Sequence, residues 1–399
     1  MTKTIYVYFL NEDKPIGIVY LDDIKGKEIY SFSYTDYAIE NNLYNVLLDD
    51  EILFVRGRQY KNDSSTPYHF LLDSAPDRWG KNLIKRALGK KNISFSDFLI
   101  NVSDYSRMGA LRYKTNIDGP FELQAQNVPP YKFLRELENV AYNYDEFIED
   151  DEWKALLSPG SSLGGARPKA TIYDNNKELY IAKFAHKQDD YDISKVEYLT
   201  YRLAKDVGIY FSPSKLIEIA PNRSVFLTKR FDRENGERIH YVSFMTLLNT
   251  DEGESSNYSY LDIAECIAKY SDNPTEDLKE LFKRVAFYIF VHNYDDHLRN
   301  IGMIYRNGRY RLAPCFDANI TLYNSHLTVS IDGTSDISLE KLLECSLFFK
   351  TNLEEGKAII EEMKATLSKS FKRIAKEIHL DNSIYNQIAK FLDLSKTYE

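Results

Sequence analysis

The sequence predicts an α+β fold in which strands come first and helices follow, and this order occurs twice along the chain. Three aromatic and β-branched stretches between residues 4 and 34 are separated by polar turns, which is typical of consecutive strands. From residue 261 onward the apolar residues recur at helical spacing, near 275–292, 353–378 and 384–392. Between these two regions the Pro129-Pro130 pair breaks regular structure, and the strand-then-helix order begins again after it.

The individual elements follow from local pattern. The first strands are predicted at 4–10, 15–21 and 29–34, followed by a helix at 77–88 and a strand at 108–113. After the Pro-Pro pair we predict a helix at 131–147, a small-residue loop at 158–170, strands at 170–173 and 178–184, a helix at 193–207, and strands at 216–219 and 224–230. On this basis we divide the chain into residues 1–125, 126–235 and 236–399.

Composition narrows the class of protein. The chain has 399 residues, of which 43% are hydrophobic, which is enough for a sizeable core and argues against general disorder. A net charge of −9 argues against a large nucleic-acid-binding face, although a local basic patch is compatible with it. The three cysteines lack CxxC spacing and indicate neither a disulfide framework nor a zinc site. The apolar runs are too short for a signal peptide or a membrane span, so we expect a soluble, cytoplasmic protein.

A loop of small residues, SSLGGARPK, occupies positions 161–169. Small residues let backbone N–H groups approach a ligand closely, and successive N–H groups form a nest for an anion. The loop therefore suits nucleotide phosphates, although adjacent glycines also occur in ordinary turns.

Lys183 lies inside the apolar strand YIAKF, where a lysine needs a partner or a route to solvent. In kinases a strand lysine contacts the nucleotide phosphates and pairs with a glutamate on a helix. Glu197, on the next predicted helix, is the candidate partner. The alternative is an edge-strand lysine that faces water.

The stretch HNYDDHLRN at 292–300 ends a strongly apolar helix. Asp295 and Asn300 are five residues apart, the spacing between the base and the metal-binding asparagine of the protein-kinase catalytic loop. A carboxylate can accept the proton of a substrate hydroxyl, and the amide offers an oxygen ligand for Mg²⁺. Asp296 is the competing base, and a polar turn after a helix is the alternative interpretation.

Asp317 follows Phe316 and comes 17 residues after Asn300. A hairpin around Asn307-Gly308 would return it to the loop at 292–300 and add a second carboxylate to a Mg²⁺ site. Alone, Asp317 is equally consistent with a turn or cap residue after a strand.

Eight segments together resemble the HipA family of serine/threonine kinase toxins: LLDSAPDRWGKNLIKRA (71–87), SRMGALRY (106–113), SSLGGARPK (161–169), YIAKF (180–184), VEYLTYRLAKDVGI (196–209), FLTKRFDR (226–233), NYDDHLRN (293–300) and YRLAPCFD (310–317). The resemblance implies a protein-kinase-like bilobal fold of HipA type. Residues 1–125 would form the small β-rich N-terminal subdomain. Residues 126–235 would carry the Gly-rich loop and the ATP lysine, and 236–399 would form the mostly helical C-terminal lobe with the catalytic loop.

The resemblance also implies a role for each matching residue. Asp295 would be catalytic, His297 would serve both catalysis and nucleotide binding, and Asn300 and Asp317 would hold Mg²⁺. The remaining residues implied in ATP binding are Ser162, Gly164, Gly165, Ala166, Lys169, Lys183, Lys229 and Phe231. Ser162 would also be the autophosphorylation site, since nearly two added negative charges cannot lie where ATP phosphates bind. Ser161 is the rival acceptor.

Family members pair with a small helix-turn-helix antitoxin of HipB type, which supplies the DNA contact, and their best-known substrate class is aminoacyl-tRNA synthetase. The resemblance therefore implies an ATP- and Mg²⁺-dependent protein kinase toxin that contacts DNA only through its antitoxin. Two alternatives stay open: a pseudokinase that regulates or co-represses through the antitoxin, and a small-molecule or lipid kinase on a related fold. Because every expected catalytic position is filled, the sequence weighs against the first.

Overall fold

A computed structural model describes residues 2–44, 46, 49–89, 92–122, 128–143, 167–322 and 327–392. The chain forms two compact units. The first consists of Met1–Ala182 and Arg230–Asp251, and the second of Lys183–Lys229 and Glu252–Glu399. The three-part division at 125 and 235 stays a prediction.

The strands of the described chain are β1 (Lys3–Phe9), β2 (Gly17–Ile24), β3 (Lys27–Tyr34), β4 (Gln59–Tyr60), β5 (Leu111–Lys114), β6 (Lys169–Tyr173), β7 (Leu179–Lys183), β8 (Ser214–Ala220), β9 (Arg223–Lys229), β10 (Arg233–Glu234), β11 (Glu237–Arg238), β12 (His240–Ser243), β13 (Gly302–Arg306) and β14 (Arg309–Leu312). The α-helices are α1 (Asp36–Glu40), α2 (His69–Ser74), α3 (Arg78–Leu88), α4 (Phe95–Ile100), α5 (Leu134–Tyr142), α6 (Ile193–Asp206), α7 (Phe244–Leu247), α8 (Tyr260–Tyr270), α9 (Pro274–Val291), α10 (Leu339–Glu344), α11 (Leu353–Glu377) and α12 (Asn382–Phe391).

The first unit is built on an antiparallel sheet with the strand order β4-β3-β2-β1-β5. Val19 of β2 is fully buried and pairs across the strands with Phe32 of β3. Gly17 is required at the start of β2, because a Cβ there would lie 2.3 Å from the ring of Phe32. The later segment of this unit is attached through α2, where Asp73 accepts hydrogen bonds from the backbone N–H and hydroxyl of Ser243.

In the second unit, β8 and β9 form an antiparallel hairpin, and α6 packs against it. Asp192 caps the N-terminus of α6 and also accepts a hydrogen bond of 2.6 Å from the Ser224 hydroxyl of β9, which fixes the helix on the hairpin. The helical part consists mainly of α8, α9 and α11, in contact with one another through α9. Helix α9 begins with Asn273 as its N-cap and Pro274 at its first position, a sequence well suited to helix initiation.

The α+β class predicted from the sequence is confirmed. Boundaries differ in detail: the strand predicted at 108–113 begins only at Leu111, because Gly109 has a φ of +72°, which no strand residue adopts. The helix predicted at 131–147 is described as Leu134–Tyr142. The short helices α2 and α4 were not predicted, since six residues are too few for a helical period to show. No helix of the described chain has the length and apolar character needed to cross a membrane.

Candidate functional site

Lys183, the last residue of β7, is bonded to two carboxylates in the second unit. Its ammonium group donates to Glu197 of α6 and to Asp317, and the three side chains are 13%, 6% and 9% exposed. Burial alone lowers the pKa of the Lys183 ammonium, but the charges of Asp317 and Glu197 outweigh it and raise that pKa above its usual value. The lysine is therefore a fixed positive charge between two buried acids.

Asp317 is held in position by its backbone conformation and by the backbone hydrogen bonds of Cys315, two residues earlier. The β13–β14 hairpin turns at Asn307 and Gly308, both with positive φ, as predicted from the Asn-Gly pair. Cys315 then donates its N–H to the Tyr210 carbonyl at 2.7 Å and accepts from the Ser212 N–H at 2.9 Å. Asp317 itself has a φ of +57°, a left-handed conformation that aspartate tolerates better than most residues.

The loop at 292–300 begins where α9 ends. His292 has a φ of +52° and terminates the helix, with its N–H donated back to Ile289 and Tyr288. The next residue, Asn293, is buried, and its side-chain oxygen accepts the N–H of Asn319 at 2.9 Å. That bond joins the loop to the segment just after Asp317, so the two parts of the candidate site share one scaffold.

Asp295 and His297 form a half-exposed pair on this loop. His297 Nε2 lies 3.2 Å from Asp295 Oδ1, and the two side chains are 47% and 46% exposed. The hydrogen bond to Asp295 raises the pKa of the His297 imidazole, against a smaller opposing effect of burial. Asp295 thus presents a carboxylate that solvent, and hence a substrate hydroxyl, can reach.

The neighbouring Asp296 is in a different environment. It is 1% exposed and accepts hydrogen bonds from the Tyr260 hydroxyl at 2.8 Å and from the backbone N–H groups of Thr328 at 2.6 Å and Val329 at 3.3 Å. Burial raises the pKa of the Asp296 carboxyl to about 6, although these donors work in the opposite direction. Asp296 ties the loop to its surroundings and is closed to a substrate.

The Asn300 side chain is oriented so that its amide oxygen can serve as a metal ligand. Its Nδ2 donates to the Asp295 carbonyl at 2.9 Å, which turns Oδ1 the other way. Among the described residues, that buried Oδ1 has no hydrogen-bond donor. A buried amide oxygen without a donor is costly unless a cation or water takes the place of one. Together with the carboxylate of Asp317, this donor set of hard oxygens fits a divalent cation such as Mg²⁺.

The remaining predicted residues are only partly among those that the structure describes. Five residues of the small-residue loop are outside the described residues: Ser162, Gly164, Gly165, Ala166 and the alternative phosphate acceptor Ser161. The backbone N–H of Lys229, at the end of β9, donates to Pro213 at 2.8 Å.

Two of the described residues in this group, Phe231 and Lys169, belong to the first unit. Phe231 packs against Tyr241 with 5.6 Å between the ring centroids. Lys169 forms a buried ion pair of 2.8 Å with Asp77, the N-cap of α3, and its carbonyl accepts from the Trp79 indole at 3.2 Å. The partnership of Lys169 and Asp77 was missed from the sequence, because 92 positions separate the two residues and no spacing rule connects them.

Comparison with known proteins agrees with this geometry. The sequence profile of the HipA-like C-terminal domain matches residues 161–371, more than half of the chain. A Haemophilus influenzae protein with a provisional assignment as a kinase is 26% identical over 253 residues, which are 58% of this chain and 67% of that protein. The structure is similar to HipA of Shewanella oneidensis MR-1, solved as a toxin–antitoxin complex with HipB and operator DNA. That similarity has a TM-score of 0.70 at 17% identity, over 98% of this chain and 95% of the other, and it shows a shared fold.

Proposed function

This chain belongs to the HipA-like C-terminal domain family, and on that premise we propose that it is an ATP-dependent serine/threonine protein kinase that uses Mg²⁺. The observation that carries the proposal is the buried bridge from Lys183 to Glu197 and Asp317, on the same scaffold as the loop that holds Asp295 and Asn300. Kinases need the lysine–glutamate pair and the metal-binding aspartate in place at once.

Asp295 is proposed as the base that receives the proton of the substrate hydroxyl. Its carboxylate is half-exposed, whereas that of Asp296 is buried and accepts three hydrogen bonds. His297 keeps the Asp295 carboxylate oriented, and the hydrogen bond between the two raises the pKa of the His297 imidazole. The five-residue spacing and the exposure therefore select the same aspartate.

Asn300 and Asp317 are the residues that would hold Mg²⁺. Asn300 contributes the buried Oδ1 without a donor, and Asp317 contributes the oxygen that Lys183 does not engage. When bound, Mg²⁺ neutralises charge on the ATP phosphates. Lys183 adds a positive charge for the same phosphates, and Glu197 holds that charge in place.

The remaining nucleotide contacts are proposed from family resemblance. Ser162, Gly164, Gly165, Ala166 and Lys169 would border the phosphates, and Lys229 with Phe231 would contact adenine. Autophosphorylation at Ser162 would inactivate the enzyme. Phosphopeptide mapping after incubation with Mg·ATP tests this, and phosphate on Ser161 alone, or an unmodified loop with full activity retained, would contradict it.

Phosphate transfer from labelled ATP to a generic protein acceptor and to the chain itself, with Mg²⁺ and with EDTA, tests the main proposal. We expect transfer only with Mg²⁺, and a loss of at least about 100-fold in Asp295→Asn with an unchanged melting temperature, because the amide cannot accept the proton. Nucleotide binding without any phosphate transfer would favour the pseudokinase alternative. Phosphate transfer only to small hydroxyl compounds or lipids would favour a small-molecule or lipid kinase. Full activity in Asp295→Asn would overturn the assignment of the base.

We further propose a toxin–antitoxin context. Shewanella HipA was solved with HipB and operator DNA, so a small helix-turn-helix antitoxin of HipB type is the proposed partner, and a translation component such as an aminoacyl-tRNA synthetase is the proposed substrate, both in the cytoplasm. A net charge of −9 favours DNA contact through a basic partner. In a gel shift, tight and sequence-specific DNA binding by this chain alone would refute that arrangement.

A further inference from the structure

The first unit contains a cluster of buried and partly buried metal-ligating side chains that the proposed kinase chemistry does not use. Asp49 and Glu51 lie shortly before β4, and His69 is the first residue of α2. One ligand atom from each of the three side chains lies within 4.8 Å of the other two. Nothing in the sequence pattern connects them, since His69 is 18 residues beyond Glu51.

His69 is arranged as a metal ligand would be. It is 5% exposed, and its Nε2 lies 3.4 Å from Asp251 Oδ1. Its other nitrogen, Nδ1, is buried, has no hydrogen-bond partner among the described residues, and lies 3.8 Å from Glu51 Oε2. A histidine that binds a metal through one ring nitrogen commonly holds a carboxylate on the other, and Asp251 supplies that carboxylate.

The charges of the cluster are out of balance. Asp49, Glu51 and Asp251 supply three carboxylates, and the ammonium of Lys61 lies 2.8 Å from Glu51 Oε2. Lys61 also donates to the Pro67 carbonyl at 3.1 Å, so it is held to one side.

We propose that Asp49, Glu51 and His69 bind a divalent transition-metal ion of the Zn²⁺ class, with Asp251 orienting His69. The imidazole nitrogen disfavours Mg²⁺ and Ca²⁺, which prefer oxygen, and the absence of sulfur from these three ligands disfavours Cu⁺. Two ligand atoms at about 2.1 Å from a tetrahedral ion are about 3.4 Å apart, close to the 3.8 Å between His69 and Glu51. The bound ion joins the segment at 49–51 to the start of α2. This metal site is independent of the proposed kinase function.

Calorimetric titration of the full chain with ZnCl₂, after treatment with EDTA, tests this site. All titrations use an Asp317→Asn background, so that ions at the proposed Mg²⁺ site are not counted. We expect one ion per chain, and a loss of affinity of at least about 100-fold in both Asp49→Asn and His69→Gln, because the first removes the charge of a carboxylate ligand and the second removes the imidazole ligand. Asp13→Asn, an exposed carboxylate of the same unit, is the matched control and should bind as the background does.

Lys61→Met provides the sharpest comparison. Because the ammonium competes with the ion for Glu51, its removal should tighten Zn²⁺ binding about tenfold or more, whereas a purely structural ion pair predicts only a less stable protein. Zn²⁺ should also raise the melting temperature of the background protein but not that of Asp49→Asn. Absence of binding to the folded background protein, or binding that Asp49→Asn and His69→Gln leave unchanged, would overturn the proposal.

Discussion

Replacing Lys183 by methionine removes the ammonium group that bridges two buried acids. Glu197 and Asp317 are left facing each other with side chains 6% and 9% exposed. Breaking a buried ion pair by removing one partner costs about 3–5 kcal/mol, and we expect about 3 kcal/mol here because one carboxylate can take up a proton. Lys215→Met, at an exposed position of β8, is the matched control and should change stability by less than about 0.5 kcal/mol.

The loss of stability should depend on pH. In the wild type, the raised pKa of Lys183 means that its contribution is fully present below about pH 10 and is lost only as pH rises through the folded-state pKa. In Lys183→Met, proton uptake relieves the repulsion between the carboxylates, so urea unfolding should show a smaller loss of stability at pH 5 than at pH 8. The two pH values separate this reasoning from a simple loss of packing, which would be equal at both.

A double-mutant cycle completes the test. Asp317→Asn is the suitable second change, since asparagine is isosteric and tolerates the φ of +57°. If Lys183 acts through charge, the double variant should be more stable than Lys183→Met by at least about 1 kcal/mol, although it carries two changes. Strict additivity of the two single changes, or no pH dependence, would refute the proposed arrangement.

Three further outcomes are expected. The Asp296 carboxyl has a pKa of about 6 in the folded protein against 3.8 in the unfolded chain, so its contribution to stability falls by about 2 kcal/mol as pH rises from 4 to 7. Asp296→Asn should remove that pH dependence in urea unfolding. Lys169→Met should lower the free energy of unfolding by about 3 kcal/mol in urea unfolding. Adding Asp77→Asn to Lys169→Met should lower that free energy little further. Asn300→Leu should weaken Mg·ATP binding in calorimetry while binding of ATP in EDTA stays unchanged.

The sequence predicts the parts of the site that are set by local order along the chain. The hairpin at Asn307-Gly308 and the end of α9 at His292 follow from turn residues and helical period, and they place Asp295 and Asp317. Glu197 was the candidate partner of Lys183 because it lies on the next helix, and the structure pairs the two. Each of these inferences needed only spacing within one or two elements.

Partners that are distant in sequence could not be predicted in this way. Lys169 was grouped with the phosphate-binding residues on resemblance, and its pairing with Asp77 depends on how α3 packs near β6. The contrast between Asp295 and Asp296 was argued from spacing alone, whereas burial and the three donors to Asp296 became visible only in the folded chain. Burial and long-range pairing are tertiary properties, and a single sequence carries no periodic signal for them.

The charges of the candidate site predict that the binding of Mg²⁺ and the binding of ATP are coupled. Lys183 neutralises one of the two negative charges of Glu197 and Asp317, so the group keeps a net charge of −1 in the absence of ligands. If Asp317 and Asn300 hold a divalent cation as proposed, its two positive charges would make the group positive and therefore receptive to phosphates, whereas without it the buried acids would oppose them. ATP and Mg²⁺ should accordingly bind with positive coupling, each increasing the affinity for the other by the same factor. Lys183→Met would weaken ATP binding even with Mg²⁺ present, since the group then carries one less positive charge while both acids remain.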